Sequence, residues 1–340
     1  KPDVVAPGSF VISARSKDWK LENQFTNGSP DQPVMAEVNA RLAPNYRYES
    51  GTSMAAPVVS GFLALMQEFF EQRLPAGLRR TNSPALMKAA LINGARSLGS
   101  LYDFQVQNTI NYQGWGLVNI TNTLPALMLS QPESSWPIRF FDQNPTNAVA
   151  TGQTKSWNLN MTPSAQQVPL RVTLVWPDPP GNPTASIKLV NDLDLVISNT
   201  ATHQVYYGNN IPVASDFTQP SEPTSAPPKD MVNNVENVFI RDPFSSNFVV
   251  SVVGHRVNVS ALTGYFQATQ LTNDVAQDFA LVISTDDLTL TNAFTVAPLQ
   301  ASPPAPPLLA TTMTNGLPLL KQRVGAQPSI LDVRNGVTNQ

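Results

Sequence analysis

The chain has 340 residues, of which 41% are hydrophobic and 13% are charged, and its formal net charge is −3. This apolar content is enough to fill more than one core, which excludes a wholly disordered protein. The weakly acidic balance provides no cationic surface for a phosphate backbone or an anionic membrane, so we expect neither nucleic acid nor a membrane as a partner. Cysteine is absent, which excludes disulfides, thiolate metal sites and a cysteine nucleophile.

Two helices are predicted in the first 125 residues. Residues 54–72 are mostly small or large apolar residues with hardly any polar face, and this pattern is typical of a buried helix. The richest apolar stretch, 58–70, contains a Gln-Glu pair and is shorter than the roughly 18 residues of a membrane span. The second helix is predicted from Ser83 as N-cap and Pro84 as first helical residue to an end near Gly94.

From about residue 136 the pattern changes to short alternating apolar runs separated by proline, glycine and asparagine, which indicates an antiparallel β-sandwich. The clearest runs are Leu170 to Trp176, Leu193 to Ile197, Val235 to Ile240, Phe248 to Val253 and Phe279 to Ile283. A proline-rich stretch, Gly208 to Asp230, is predicted to be a long surface loop. We therefore divide the chain into a helical portion, 1–130, an all-β portion, 131–286, and a linker or disordered tail, 287–340.

The segment GTSMAAP, residues 51–57, places a serine at the beginning of the first predicted helix. A serine hydroxyl is a poor nucleophile unless a base takes its proton and nearby donors hold the oxyanion that forms on the attacked carbonyl. The unpaired amides and the positive dipole end of a helix favour such an anion, and the amide of Ser53 is itself a candidate donor. From a bare GTS, however, Ser53 would more simply be the N-cap of a core helix.

Longer segments carry a resemblance to a known family. GTSMAAP resembles the nucleophile segment of the subtilisin-like serine proteases (subtilases, peptidase family S8), and KPDVVAPG at residues 1–8 resembles the segment that precedes it in these enzymes. KAALI at 88–92 and QGWG at 113–116 resemble the last helix and the closing turn of the subtilase catalytic domain. The resemblance implies an α/β catalytic domain, present here only as its C-terminal portion, with Ser53 as the nucleophile. It also implies a secreted, monomeric enzyme that acts on protein or peptide substrates.

The same resemblance shows which catalytic partners are missing. Subtilases take the triad aspartate from a DTG-like segment and the triad histidine from an HGTH-like segment, both upstream of KPDV, and neither occurs here. The asparagine of the oxyanion hole also comes from upstream. The two histidines present, His203 and His255, match no triad motif, and we interpret them as surface or turn residues. We therefore expect a serine endopeptidase that forms its acyl-enzyme on Ser53, with histidine and aspartate supplied upstream, and a fragment that is inactive alone.

In the β portion, residues 174–178, 185–196 and 233–239 resemble the C-terminal jelly-roll domain of the alkaline, oxidatively stable subtilases. Asp192 and Asp194 alternate with apolar residues and so share one face of a strand. Calcium takes roughly six to eight oxygen ligands, and enzymes of this group commonly bind it. We predict a structural calcium site with ligands from two runs: Asp192, Asp194, Asn234 and Glu236. No other cofactor is expected, and the alternative is a solvated strand face beside an asparagine-rich turn.

Other functions stay open at this stage. The chain could be a β-sandwich binding or stabilising module beside an inert catalytic remnant, or a pseudoprotease that has lost an upstream catalytic partner. A sedolisin, which uses a glutamate base, shares the GTS element but fits KPDVVAPG and the jelly-roll less well. The residues before Lys1 would separate these possibilities, because DTG-like and HGTH-like segments there would favour the protease.

Overall fold

The computed structural model describes residues 2–20, 32–98, 113–212, 215–221, 229–262 and 275–299. Near the N-terminus, β1 (Val11–Ala14) pairs antiparallel with β2 (Tyr46–Glu49), and α1 (Gln32–Ala40) precedes β2. The buried Asn39 of α1 joins these elements, because its Oδ1 accepts a hydrogen bond of 2.7 Å from the Tyr48 amide.

The next helix, α2 (Thr52–Glu68), continues directly into a π-helical turn, Phe69–Arg73. The prediction that this helix is buried is wrong: Met66 is the buried residue of α2, whereas Val58 and Leu65 are 39% and 54% exposed. In the part of the chain that the structure describes, α2 is covered along one side, so most of its apolar surface faces outward. By length and composition alone, the stretch Thr52–Arg73 is also long and apolar enough to cross a membrane.

The second predicted helix is confirmed as α3 (Pro84–Gly94). Ser83 is its N-cap, since its Oγ accepts a hydrogen bond of 3.1 Å from the Leu86 amide. A single turn, α4 (Ile120–Thr123), lies against the end of α3 so closely that a Cβ atom on Gly94 would be 2.1 Å from Thr123 Oγ1. The glycine therefore permits a close approach that no other residue would allow.

The described residues between 138 and 299 form two antiparallel sheets. The inner sheet has four strands in the order β3-β10-β5-β8, and the outer sheet has five in the order β11-β4-β9-β6-β7. The strands are β3 (Ile138–Phe141), β4 (Thr154–Met161), β5 (Leu170–Val175), β6 (Asp192–Asn199), β7 (Val205–Tyr207), β8 (Val235–Ile240), β9 (Asn247–Arg256), β10 (Ala280–Thr285) and β11 (Phe294–Leu299).

Two cores give the molecule three layers. Between the sheets, β5 contributes Val172 and Leu174 to the first core. On its other face the inner sheet packs against α3 and the end of α2, where Val175 and Val282 join the second core. Because the inner sheet is covered on both faces, its central strands β5 and β10 and its edge strand β8 are buried along their whole length, whereas β9 in the outer sheet alternates between buried and more exposed residues.

The mixed α/β character and the antiparallel sandwich agree with the sequence, and one predicted boundary needs correction. Residues 294–299, which we assigned to the linker or disordered tail, form β11 and pair with β4 at the edge of the outer sheet. Pro298 lies within this strand, and proline is accepted there because an edge strand can lack one amide donor. Residues 287–293 of the predicted tail are also described, with Ala293 buried, whereas 300–340 lie outside the described residues, as do 213–214 and 222–228 of the predicted loop.

Candidate functional site

Ser53 is the second residue of α2, and its side chain is exposed. The first hydrogen bonds of the helix run from the Met54 and Ala55 amides to the Gly51 carbonyl, at 3.0 and 3.4 Å. No hydrogen bond within the described residues uses the hydroxyl or the amide of Ser53. The hydroxyl is thus accessible, and the amide beside it is a free donor at the positive end of a helix.

The turn before Ser53 is fixed by the KPDVVAPG segment. The Gly51 amide donates a hydrogen bond of 2.7 Å to the Gly8 carbonyl, and the Phe10 amide donates one of 2.9 Å to Ser50 Oγ. A Cβ atom on Gly8 would lie 2.7 Å from the Gly51 carbonyl oxygen, so only glycine fits this contact without displacement. Two segments about 40 residues apart in sequence are therefore adjacent in space.

The other two segments of the family resemblance join the same unit. The Trp115 amide donates to the Asp3 carbonyl at 2.8 Å, and Val5 bridges in parallel to Leu117. Lys88 on α3 contacts Asp3, with 3.1 Å between Nζ and Oδ2. KPDVVAPG thus runs from QGWG, past α3, to the turn that holds Ser53.

Both histidines of the sequence belong to the outer sheet and its connections. His203 follows β6 in a turn with φ 59°, and His255 is near the end of β9. His255 Nδ1 lies 2.9 Å from Asp192 Oδ2. Neither histidine contacts the Ser53 segment in the described part of the chain.

The predicted calcium ligands are only partly brought together. Asp192 and Asp194 lie on one face of β6 as predicted, and both are buried. Glu236 is buried on β8, where its Oε2 accepts a hydrogen bond of 2.5 Å from the Leu195 amide. Asn234 Nδ2 donates to the Trp176 carbonyl at 3.0 Å, a bond that does not use the Oδ1 atom that calcium would take. Calcium at these four residues therefore stays a prediction.

The structure adds His255 to the acidic pair. One ring nitrogen of His255 and one oxygen each from Asp192 and Asp194 all lie within 4.8 Å of one another. Lys229 approaches from another side, with its Nζ 2.6 Å from Asp194 Oδ2. Sequence analysis missed His255 because the contact depends on a register shift between β6 and β9, for which the sequence carries no signal.

Burial governs the electrostatics of this acidic group. Burial, and to a smaller extent Asp194, raises the pKa of Asp192, while the contact with His255 opposes this shift. The pKa of Glu236 is raised well above its usual value, first by burial and then by the neighbouring carboxylates, chiefly Asp194. Carboxylates held together and out of water need a counter-charge or a proton.

Comparison with known proteins connects this geometry to a family. Residues 1–116 match the model of the subtilase family, peptidase S8. The chain is 30% identical over 289 residues to the serine protease/ABC transporter B family protein tagD of Dictyostelium discoideum, an alignment that covers 74% of the chain and 15% of that protein. The corresponding tagB protein is 28% identical over 297 residues, again 15% of its length. The subtilisin-like protease SBT1.9 of Arabidopsis thaliana is 28% identical over 156 residues, covering 40% of the chain and 19% of that protein.

Proposed function

The chain belongs to the subtilase family of serine proteases, and on that premise we propose that Ser53 is the nucleophile of an endopeptidase that cleaves proteins or peptides. The observation that carries the proposal is the exposed, unengaged Ser53 hydroxyl at the amino end of α2, in a turn fixed by the contact between Gly8 and Gly51. The chain spans about 15% of the length of its Dictyostelium relatives, so the activity proposed is that of a longer protein.

The chemistry follows from this position. The Ser53 oxygen attacks the carbonyl carbon of a peptide bond while a base takes the hydroxyl proton, which gives a tetrahedral oxyanion. The free Ser53 amide can donate to that oxyanion, and the helix dipole favours its charge. When the intermediate collapses, the C–N bond breaks and the amine leaves with the proton held by the base. Water then hydrolyses the acyl group on Ser53 by the same steps.

The base and its orienting aspartate would come from residues outside this chain. Both histidines of the sequence lie in the β portion, and the His255 ring contacts the Asp192 carboxylate. An open groove of about 630 Å³ between α2 and α3, lined by residues such as Leu63 and Met87, gives further polypeptide a place to pack. We therefore expect the 340-residue chain alone to be inactive.

Cleavage of a protein substrate such as casein by the longer protein tests the proposal. Ser53→Ala should lower the rate by several orders of magnitude, because no other group can form the acyl-enzyme. Ser164→Ala is the control, since Ser164 is an exposed serine of the β portion without a side-chain cap bond, and its rate should be unchanged. A longer protein that lacks activity would favour the pseudoprotease or the non-catalytic β module, and activity that survives Ser53→Ala would show that Ser53 is not the nucleophile.

The same proposal also covers the type of β domain, the cellular location and the oligomeric state. We assign the β portion to the jelly-roll of the alkaline subtilases, supported by the two antiparallel sheets that enclose one core. We place the enzyme outside the cell as a monomer. The two Dictyostelium relatives are named as a serine protease joined to an ABC transporter, so detection of the longer protein in the membrane fraction rather than the medium would contradict the secreted assignment.

A further inference from the structure

A buried acidic pair in the outer sheet is left without sufficient partners. Asp192 is fully buried and Asp194 is 3% exposed. One oxygen of each carboxylate has no hydrogen-bond partner among the described residues: Oδ1 of Asp192 and Oδ1 of Asp194. Leaving a buried carboxylate oxygen unpaired is costly, so the arrangement calls for a further cation.

A β-bulge brings an imidazole to this acidic pair, where His255 Nδ1 lies 2.9 Å from Asp192 Oδ2. Asp192 faces Arg256 across the ladder, but the next residue, Leu193, faces Gly254, so His255 is the extra residue of β9. Bulges redirect side chains in this way. The side chain of His255 is 37% exposed, which leaves the site open to solvent on one side.

From these contacts we propose that Asp192, Asp194 and His255 bind a divalent first-row transition-metal ion such as Zn²⁺. The three ligand atoms already lie within 4.8 Å of one another, and two carboxylates with one imidazole make a ligand set typical of such ions. The ion adds positive charge to that of Lys229 beside the two carboxylates, and it offers a ligand bond to the unpartnered Oδ1 atoms.

Ligand chemistry separates this ion from calcium. Calcium requires roughly six to eight oxygen ligands, whereas the three ligand atoms that lie within 4.8 Å of one another are two carboxylate oxygens and an imidazole nitrogen. Zinc commonly takes three protein ligands and a water. Lys229 is compatible with the ion, because it contacts Asp194 Oδ2 and leaves Oδ1 available. The inference does not depend on the protease assignment.

Calorimetric titration of the purified chain, after treatment with a chelator and removal of that chelator, tests the proposal with Zn²⁺ and Ca²⁺ as separate probes. We expect one Zn²⁺ per chain and a rise in the melting temperature, with Ca²⁺ bound much more weakly. His255→Ala should weaken Zn²⁺ binding at least tenfold while the metal-free chain keeps its melting temperature within a few degrees. His203→Ala is the matched control, because it removes the other histidine of the sequence, and its Zn²⁺ affinity should be unchanged.

Asp194→Asn gives a second test that keeps the shape of the side chain, and it should also weaken Zn²⁺ binding at least tenfold. Three results would overturn the proposal: no Zn²⁺ binding by the chain, Zn²⁺ binding that His255→Ala leaves intact, or preferred binding of Ca²⁺ that does not require His255.

Discussion

The Gly51 amide and the Gly8 carbonyl oxygen are joined by a hydrogen bond of 2.7 Å, and a Cβ atom on Gly8 would lie 3.1 Å from the Cβ of Ala55. Ser53 comes two residues after Gly51, at the start of α2. The position of the nucleophile segment is thus set by a backbone contact with a distant part of the chain. This contact explains physically why KPDVVAPG and GTSMAAP occur together.

Gly8→Ala tests this contact. The added methyl group would collide with the Gly51 carbonyl oxygen, and relief requires a backbone shift, so the free energy of unfolding should fall by about 1–3 kcal/mol. Chemical denaturation measures the change. Gly61→Ala on α2 is the control, because a Cβ atom there meets nothing within 4 Å, and alanine should stabilise the helix by up to about 1 kcal/mol. Equal effects of the two variants would show that the Gly8 contact does not constrain the chain.

The N-cap of α3 should also be measurable. Ser83 Oγ accepts from the Leu86 amide and bonds to Asp142, so Ser83→Ala should cost about 1–2 kcal/mol of unfolding free energy. Ser164 precedes a short 3₁₀-helix without a side-chain cap bond, and Ser164→Ala should change stability by less than about 0.5 kcal/mol. A Ser83→Ala chain as stable as the Ser164→Ala chain would argue against the cap.

Arg171 joins the inner sheet to the carboxyl end of α3. Its guanidinium donates to the Asn93 and Ala95 carbonyls at 3.0 Å each and lies 3.6 Å from the ring centre of Phe239. Burial lowers its pKa to about 9, so the group is still charged at neutral pH. Arg171→Met should lower the free energy of unfolding by about 2 kcal/mol, because charged hydrogen bonds to buried carbonyls are lost.

The control for this prediction is Arg73→Met. Arg73 pairs with Glu68 at the surface with its side chain 68% exposed, so the loss should stay below about 1 kcal/mol. If Arg171→Met unfolds in denaturant no more easily than Arg73→Met, the contacts of Arg171 do not stabilise the packing of the inner sheet against α3.

Glu236 should make stability depend on pH. Its pKa is raised in the folded chain by burial, so the folded state keeps a proton that the unfolded state loses above about pH 4.5. The free energy of unfolding therefore falls as pH rises from there through the folded pKa. Glu236→Gln removes this effect and keeps an acceptor for the Leu195 amide. With a chelator present, its melting temperature should exceed that of the parent chain more at pH 8 than at pH 5. A constant difference at both pH values would contradict this account.

The sequence predicted best those features that depend on local chemistry or on complete burial. Ser83 and Pro84 predicted the beginning of α3, and the run from Val235 to Ile240 predicted β8 with correct ends. Features that depend on contacts with distant parts of the chain were predicted less well. The apolar residues of α2 indicated burial, but burial requires a covering layer, which the described residues provide on one side only.

An edge strand and a contact between two side chains were also missed, because both depend on how strands pair. β11 contains Pro298 and follows a turn-rich stretch, and an edge strand pairs on one side only, so its pattern is weak. The contact between Asp192 and His255 arises from a one-residue shift in register, a property of two strands that brings together residues 63 positions apart. The proposal for Ser53, in contrast, rests on its segment, and the structure adds the exposure of Ser53 and the contact that holds the turn.

Covalent labelling at Ser53 tests the central proposal most directly. The longer protein that contains this chain is treated with a fluorophosphonate, which reacts with activated serine hydroxyls, and the modified peptide is identified by mass spectrometry. We predict one adduct on Ser53, none on the Ser53→Ala protein and none on the 340-residue chain alone. An intact longer protein that carries no adduct on Ser53 would contradict the assignment of this residue as the nucleophile.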